Sequence, residues 1–246
     1  MAVNRPEKDG KGKTLVIIPA YNEENNIGPV VSAVKKLSFH PDILVVDDGS
    51  VDHTADNARI AGASVMSLPF NLGYGAALQT GFKYSVRMGY GYAIQMDADS
   101  QHDAASILDL KSAIEEGAAD VIIGSRFLED PDYPIRFTKK AGLAIFRIIV
   151  RVITSKRVTD PTSGFRALNR RALELYCGMY PSDFPDADII IATHLSGLRI
   201  AEIPVKIYPK DSGKSMHSGF KPFYYIYKMF LSMLVTMLRR YPEKRP

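Results

Sequence analysis

The stretch DILVVDDGSVDHTADNARI, residues 42–60, combines a strand, a turn and the start of a helix. Its apolar, β-branched run ends at Asp47, Gly49 supplies a turn, and Ser50 or Asp52 is suited to cap the helix that follows. Other runs with strand character are separated from one another by helical patterns, and they cover residues 14–19, 63–68, 92–97 and 120–124. Strands alternating with helices predict an α/β fold, a doubly wound and mostly parallel sheet with helices on both faces.

The second half of the chain continues with longer elements. Apolar periodicity there predicts helices over residues 137–154, 170–180 and 186–196, a strand over 200–207 and a last amphipathic helix over 220–240. We expect three regions: a polar tail over 1–13, one α/β domain over 14–219, and the last helix with its tail over 220–246. Ligands of such sheets bind beyond the carboxyl ends of the strands, where the polar clusters of this sequence lie.

Cysteine and charge content limit the classes of protein to consider. The chain has 246 residues and one cysteine, Cys177, so no internal disulfide can form, and its polar start lacks the apolar segment of a secretory signal. We expect a cytoplasmic location. Residues 1–132 have a net charge of −8 and residues 133–246 a net charge of +12. The basic half suggests an anionic partner such as phosphate, nucleic acid or an acidic leaflet, and a solvated basic face explains it equally well.

Candidate ligand-binding residues follow the first two strands. The first strand ends in IPAYNE, so Pro19, Tyr21, Asn22 and Glu23 would lie at the mouth of the sheet. There the tyrosine could cover a base or ribose, and the glutamate could accept hydroxyl hydrogen bonds. A structural turn explains this segment equally well. Asp47 and Asp48 stand at the tip of the second strand. Adjacent carboxylates are costly to hold together unless they meet donors or a cation, so we expect ligand contact, more strongly for Asp48.

The segment NLGYGAALQTGF, residues 71–82, opens a helix after the third predicted strand. Backbone amides near Gly75 could approach a ligand closely at this helix start. The glycine spacing differs from the dinucleotide-binding fingerprint, which follows the first strand, and the sequence contains no Walker loop.

The fourth predicted strand ends in IQMDADSQHD, residues 94–103. Asp97 and Asp99 can both reach a hard divalent cation, and Gln101 is close enough to add a third oxygen. Mg²⁺ or Mn²⁺ is the expected metal, held by these residues together with substrate phosphates. An isolated D-x-D is common in solvated turns, but its position after an apolar strand favours the metal site. His102 could be a metal ligand or a base, but we expect it to be an exposed loop residue.

Two later clusters contain further polar candidates. Arg126 follows the fifth predicted strand, and the segment TDPTSGFRAL contains Asp160, Ser163 and Arg166. The guanidinium of Arg126 could hold a diphosphate through two parallel hydrogen bonds. Asp160 could orient or deprotonate an acceptor. Each cluster alone would also suit an ordinary turn or surface pair.

Seven motifs occur in one order over about residues 14–215: IPAYNE, VVDDGS, NLGYGAAL, DADSQH, GSRF, DPTSGFR and EIPV. Together they resemble glycosyltransferase family 2, and within it the dolichol-phosphate mannosyltransferase and polyprenyl-phosphate glycosyltransferase branch. The resemblance implies a GT-A fold, inverting transfer from a nucleoside-diphosphate sugar, and a divalent metal at the D-x-D. Nucleotide binding is implied for Pro19, Tyr21, Glu23, Asp47 and Asp48, and metal binding for Asp97, Asp99 and Gln101.

The resemblance also covers the phosphate and acceptor side. It implies that Arg126 and the segment 160–166 serve the donor phosphates and the acceptor, and it nominates Lys214, Ser215 and His217 in a basic loop near the phosphates. Two departures limit it. Tyr74 stands where many members have a basic residue, and several members carry spanning helices, whereas no run here reaches the roughly 18 to 20 apolar residues of one.

The expected reaction is attack by an acceptor oxygen on the anomeric carbon of the donor sugar, in one inverting displacement. A lipid phosphate is already anionic, so Asp160 would mainly orient it, whereas a sugar hydroxyl would need a general base. The alternatives are a cell-surface polysaccharide acceptor, a sugar-phosphate nucleotidyltransferase and a non-catalytic binding module. We expect no nucleic-acid partner, because a carboxylate-rich crevice repels nucleic acid.

Two segments predict contact with the inner face of a membrane. Residues 133–159 contain seven basic residues and no acidic one, and Arg147 and Arg151 share a helical face beside apolar neighbours. The last predicted helix, 220–240, has aromatic, Met and Leu residues together with lysines and arginines. This helix would also suit packing in the core, on a second copy of the chain or on a membrane-protein partner.

Overall fold

The computed structural model describes residues 12–130, 137–181, 186–208, 231–232 and 235–238. The strands are β1 (Thr14–Ala20), β2 (Asp42–Asp47), β3 (Ser64–Ser67), β4 (Tyr92–Gln95), β5 (Val121–Ser125), β6 (Arg166–Asn169) and β7 (Ile200–Pro204). The helices are α1 (Ile27–Lys35), α2 (Thr54–Ile60), α3 (Tyr74–Arg87), α4 (Ser106–Glu115), α5 (Phe137–Thr154), α6 (Arg170–Gly178) and α7 (Ala187–Leu195). The α/β prediction is confirmed.

The sheet has the strand order β3-β2-β1-β4-β6-β5-β7. All neighbouring pairs are parallel except those of β6, which runs antiparallel to both β4 and β5. The sequence analysis predicts no strand at β6. Its four residues are too few to show an alternating pattern, and its arginine and asparagine ends disguise the short apolar centre. The strands that pair with β6, namely β4 and β5, lie far from it along the chain.

Helices cover both faces of the sheet, because successive side chains of a strand point to opposite sides. Leu15 and Ile17 of β1 belong to one buried cluster, with α3, α5, α6 and α7. Val16 and Ile18 belong to the other, with α1 and α4. Burial on both faces explains why the central strands are continuous apolar runs.

Helix α5 packs on α7 through one apolar stripe and exposes a second. Leu143, Phe146 and Val150 are buried, while Ile148 and Val152 are 62% and 76% exposed. Among the described residues, no helix combines the length and apolarity that crossing a bilayer requires. Of the predicted last helix, residues 231–232 and 235–238 are helical. Its other positions lie outside the described residues.

Candidate active site

The direction of β6 determines which loops meet at one edge of the sheet. The parallel strands β1, β2 and β4 end at this edge, whereas β6 begins there, with Arg166 paired to Gln95 of β4. The loop before β6, residues 160–165, therefore lies beside the segment that follows β4. The end of β5 brings Arg126 to the same place. Residues that are far apart in the sequence thus form one candidate site.

Asp97 is the centre of a hydrogen-bonded group of side chains. The Tyr74 hydroxyl donates to Oδ1 at 2.7 Å, and Nε2 of His102 lies 3.3 Å from Oδ2. Burial raises the pKa of Asp97, but the hydrogen bonds and charges of His102, Tyr74 and Arg126 outweigh it and hold the pKa below its usual value. The carboxyl group is therefore ionised at neutral pH, as a ligand of a hard cation must be.

Gly164 allows this group to form. A Cβ at this position would lie 2.8 Å from Oη of Tyr74 and 3.0 Å from Oδ2 of Asp97, which is closer than a Cβ atom normally comes to another heavy atom. The backbone of the 160–165 loop consequently comes into direct proximity with the D-x-D segment. A larger residue at this position of the motif DPTSGFR would displace the Tyr74 hydroxyl or the Asp97 carboxylate.

His102 is buried, so the prediction of an exposed loop histidine is wrong. Its side chain is 6% exposed, and its ring lies 4.7 Å, centroid to centroid, from the ring of Phe165. Phe165 comes from the loop before β6. Because the sequence analysis lacked that strand, it could not place an aromatic residue over His102.

Asp97 and Asp99 would suit a divalent cation only if a substrate supplies further ligands. Asp99 lies two residues after Asp97 and accepts a hydrogen bond from the backbone N–H of Gln101 at 3.2 Å. Within the described part of the chain, no three His, Cys, Asp or Glu side chains are grouped as a complete metal site. Two carboxylates therefore fit a cation such as Mg²⁺ only if phosphate oxygens and water complete its shell.

The loops after β1 and β2 are tied to each other. Ser50 Oγ accepts from the backbone N–H of Asn22, and Asn22 Oδ1 accepts from that of Val51, both at 3.0 Å. Ser50 therefore links the two loops instead of serving as the predicted helix cap. Asp52 accepts a hydrogen bond from the backbone N–H of Thr54, the first residue of α2. Asn22, predicted at the mouth of the sheet, has a left-handed backbone, a conformation that asparagine adopts more readily than most residues.

The predicted nucleotide residues occupy this tied region. Tyr21 is 45% exposed, as a residue that covers a ligand would be, and Pro19 lies within β1. Glu23 accepts a hydrogen bond from the Asn26 side chain. Asp48 is buried, and its two oxygens accept from the backbone N–H groups of Leu72 and Gly73 at 2.8 and 2.9 Å. Of the other predicted residues, Asp47 accepts from the Ser50 N–H, and Gly75 is buried in the first turn of α3.

These contacts give Asp48 a structural task. Its carboxylate fixes the loop that leads into α3, and therefore also the position of Tyr74 at the start of that helix. Direct ligand contact by Asp48, Asp47, Tyr21 and Glu23 stays a prediction.

Arg126 and Asp160 bind each other. Nε and Nη2 of Arg126 donate to the two oxygens of Asp160, each at 2.7 Å, and Nη2 also lies 3.2 Å from Oγ1 of Thr162. Asp160 is fully buried. Two parallel hydrogen bonds restrict the orientation of both groups, and removing Arg126 would leave the charge of the buried Asp160 uncompensated. The sequence analysis selected both residues but gave them separate tasks.

Arg166 is buried beneath the loop before β6. It is 1% exposed, and its guanidinium donates to the backbone oxygens of Ser163 and Pro161. It therefore supports the 160–165 loop from below rather than facing a phosphate. The predicted phosphate residues Lys214, Ser215 and His217 lie outside the described residues.

A groove of about 530 Å³ adjoins the Arg126–Asp160 pair. Its walls combine basic and apolar side chains, and the residues that matter here are Phe127, Arg147, Ile148, Arg151, Arg157 and Glu202. Arg147 is fixed, since its Nε donates to the Thr159 carbonyl at 2.6 Å and its guanidinium lies 4.5 Å from the Phe127 ring centroid. We refer to this space as the arginine groove.

Comparison of the sequence with known families and proteins gives a consistent result. The sequence model of "Glycosyl transferase family 2" matches residues 15–176. Polyprenol monophosphomannose synthase of Mycolicibacterium smegmatis is 32% identical over 84% of this chain and 82% of its own length. Undecaprenyl-phosphate mannosyltransferase of Micrococcus luteus is 29% identical, over 84% of this chain and 88% of its own.

Solved structures share the fold. Glucosyl-3-phosphoglycerate synthase of Mycobacterium tuberculosis, in complex with phosphoglyceric acid, superimposes with a TM-score of 0.70 over 96% of this chain and 84% of that one, at 18% identity. The same enzyme in complex with Mn²⁺ and UDP-glucose gives a TM-score of 0.68, over 93% and 80% of the two chains. The likeness confirms the predicted GT-A fold.

Proposed function

This chain belongs to glycosyl transferase family 2, and we propose that it transfers a sugar from a nucleoside-diphosphate sugar to a polyprenyl phosphate, with inversion at the anomeric carbon. One observation carries the proposal: the acidic D-x-D segment and the rigid Arg126–Asp160 pair lie at the same edge of the sheet, with the arginine groove beside the pair. A donor with its cation and an anionic, apolar acceptor would each meet matching chemistry there.

On the donor side, Asp97, Asp99 and Gln101 would hold Mg²⁺ or Mn²⁺ together with the donor phosphates. The cation would supply positive charge that offsets the charge growing on the leaving nucleoside diphosphate. Tyr74 and His102 keep the Asp97 carboxylate in place. Tyr21, at the tied loops after β1 and β2, would cover the base or ribose.

On the acceptor side, the contacts of Asp160 favour an acceptor that is already ionised. Both of its oxygens accept hydrogen bonds from Arg126, and a carboxylate held in this way is a poor general base. A sugar hydroxyl would need such a base, whereas a phosphate monoester would not. Asp160 would instead orient Arg126, whose charge would attract the acceptor phosphate.

The apolar part of the acceptor has a matching surface. Phe127 and Ile148 line the arginine groove, and Arg151 and Arg157 stand at the same groove. The names of the Mycolicibacterium smegmatis and Micrococcus luteus relatives assign polyprenol and undecaprenyl phosphate to those proteins. Their similarity over most of this chain supports a lipid phosphate over a polysaccharide, and family membership favours sugar transfer over nucleotidyl transfer.

The test is a transfer assay with matched acceptors. Purified protein is incubated with labelled nucleotide sugars, with Mn²⁺ or excess EDTA, and with polyprenyl phosphate in detergent, soluble oligosaccharides or water alone. We expect metal-stimulated transfer to the lipid, with NMR of the product showing the inverted anomer. Asp99→Asn should abolish the stimulation and the exposed Asp109→Asn should not. Preference for an oligosaccharide, or full activity in EDTA, would contradict the proposal.

A further inference from the structure

Glu202 is a half-buried carboxylate in the edge strand β7, within the motif EIPV. It is paired in register with Ile123 of β5, and its side chain reaches the loop before Asp160. Oε2 accepts from the backbone N–H of Thr159 at 2.7 Å, and Oε1 accepts from the backbone N–H of Asp160 at 2.9 Å. One side chain thus serves two consecutive backbone donors.

The same loop is held on two further sides. The Thr159 hydroxyl lies 3.1 Å from Oε1 of Glu202 and 2.6 Å from the hydroxyl of Ser125, at the end of β5. The Thr159 carbonyl accepts from Nε of Arg147 on α5. The peptide that carries Asp160 is therefore fixed between β5, β7 and α5.

We propose that Glu202 is a positioning residue for sugar transfer: by holding the backbone of Thr159 and Asp160, it sets the location of the Arg126–Asp160 pair. The inference rests on the proposed function, since it assigns the pair to the acceptor side. The position of Asp160 matters because its carboxylate is joined to the Arg126 guanidinium by two hydrogen bonds of 2.7 Å, so that a shift of one group moves the other. A displacement of about 1 Å in a catalytic group can cost on the order of 100-fold in rate.

The arrangement requires Glu202 to be ionised, because a protonated carboxyl would place an O–H among three donors. Burial raises the pKa of Glu202, the hydrogen bonds from Thr159 and Asp160 lower it, and the charge of Asp160 raises it, leaving the pKa above its usual value. The charged groups near it, from α5 and the segment before β6, are Arg147, Arg151, Arg157 and Asp160. Protonation of Glu202 as the pH falls should therefore release the loop.

The experiment compares Glu202→Gln with Glu202→Asp and with Glu116→Gln, an exposed glutamate at the end of α4. Glutamine keeps the size but offers one acceptor oxygen in place of two. We expect kcat for lipid-phosphate transfer to fall by roughly 10- to 100-fold in Glu202→Gln, while KM for the donor changes by less than about twofold. The acidic limb of the wild-type kcat profile should disappear in this variant. Aspartate should restore part of that limb, and Glu116→Gln should match the wild type.

Amide hydrogen exchange supplies a readout that needs no substrate. In Glu202→Gln, the peptide covering residues 157–163 should exchange faster than in the wild type, while peptides from β1 and β2 stay unchanged. If exchange in that peptide is unaltered, or if kcat and its acidic limb are those of the wild type, the inference is wrong. A wild-type enzyme that ignores lipid phosphate would contradict the proposed function instead, and the exchange data would still decide whether Glu202 holds the loop.

Discussion

At the scale of single residues, Asp97 has more partners than a loop carboxylate needs. Tyr74 and His102 each bind one of its oxygens, and Gly164 packs against both Tyr74 and Asp97. Tyr74 stands where the family resemblance implies a basic residue in many members. A neutral phenol orients the carboxylate without competing with a cation for its charge. Outer-shell donors of this kind commonly tune metal affinity.

We therefore expect Tyr74→Phe to weaken metal binding without removing a metal ligand. The Mn²⁺ concentration for half-maximal transfer should rise roughly 10- to 100-fold, while activity at saturating Mn²⁺ is largely recovered. Tyr90→Phe is the matched control, because Tyr90 also donates to a carboxylate, that of Asp42, at 2.9 Å and away from the D-x-D segment. Equal Mn²⁺ curves for the wild type and Tyr74→Phe would show that the hydroxyl has no such role.

The sequence was sufficient to select most of the polar residues at the site, but not their mutual contacts. Asp97, Arg126 and Asp160 each follow a recognisable motif. Arg126 and Asp160 are 34 positions apart in the sequence, and no local sequence pattern predicts a contact over such a separation. Glu202 was overlooked as well, although a lone carboxylate in the apolar run IAEIPV was a signal for a buried acceptor.

At the scale of the elements, one carboxylate links three strands at the end of the sheet opposite the site. Asp120, just before β5, is 1% exposed. It accepts from the backbone N–H of Arg199 at 2.8 Å and from the side chain of Asn169 at 2.9 Å. It thereby joins the start of β5 to the end of β6 and the start of β7. Helix and strand periodicity predicted β5 and a strand at β7, but the antiparallel β6 between β4 and β5 depends on such long-range contacts.

Asp120→Asn should destabilise the fold by about 1 to 3 kcal/mol at pH 7, the usual cost of leaving buried hydrogen-bonding groups unsatisfied. Burial raises the pKa of Asp120. The hydrogen bonds from the Arg199 N–H and Asn169, together with the charges of Arg171 and Arg199, outweigh burial, so the pKa lies below its usual value. Its contribution is therefore complete above the pKa of an unfolded aspartate and is lost as the pH falls through the lower folded pKa.

Urea unfolding of the wild type and Asp120→Asn at several pH values measures this difference. The difference in free energy of unfolding should be constant between neutral pH and about pH 5, and should shrink below about pH 4. Asp109→Asn, on the exposed side of α4, should unfold like the wild type. A difference that grows toward acid pH would contradict the assigned direction of the pKa.

At the scale of the whole molecule, the acidic and basic halves of the sequence meet at the candidate site. The acidic half supplies the D-x-D segment, and the basic half supplies α5 and the arginine groove. On α5, the exposed Ile148 and Val152 lie beside Arg151, which is also exposed. An apolar stripe flanked by arginines is typical of surfaces that bind an anionic leaflet. This would bring a membrane-embedded acceptor to the groove.

The prediction for this surface uses arginines that have no structural task in the described loops. Arg147 is unsuitable, because it holds the Thr159 carbonyl. Arg151→Glu with Arg157→Glu should lower binding to anionic liposomes by at least roughly 30-fold, since each basic residue near such a surface contributes on the order of 1 kcal/mol. Lys36→Glu with Arg87→Glu, at the ends of α1 and α3, changes the net charge equally and should bind like the wild type.

Co-sedimentation with phosphatidylserine-containing and neutral vesicles measures the effect. Wild-type binding should require the anionic lipid and should weaken as salt rises, because exposed charges are screened over about 8 to 10 Å at 0.10 to 0.15 M ionic strength. Transfer to a short, water-soluble prenyl phosphate should survive in Arg151→Glu/Arg157→Glu better than transfer to a long acceptor in vesicles. Such a difference separates membrane docking from phosphate recognition inside the groove. If both variant pairs lose binding equally, overall charge rather than this face of α5 attracts the leaflet.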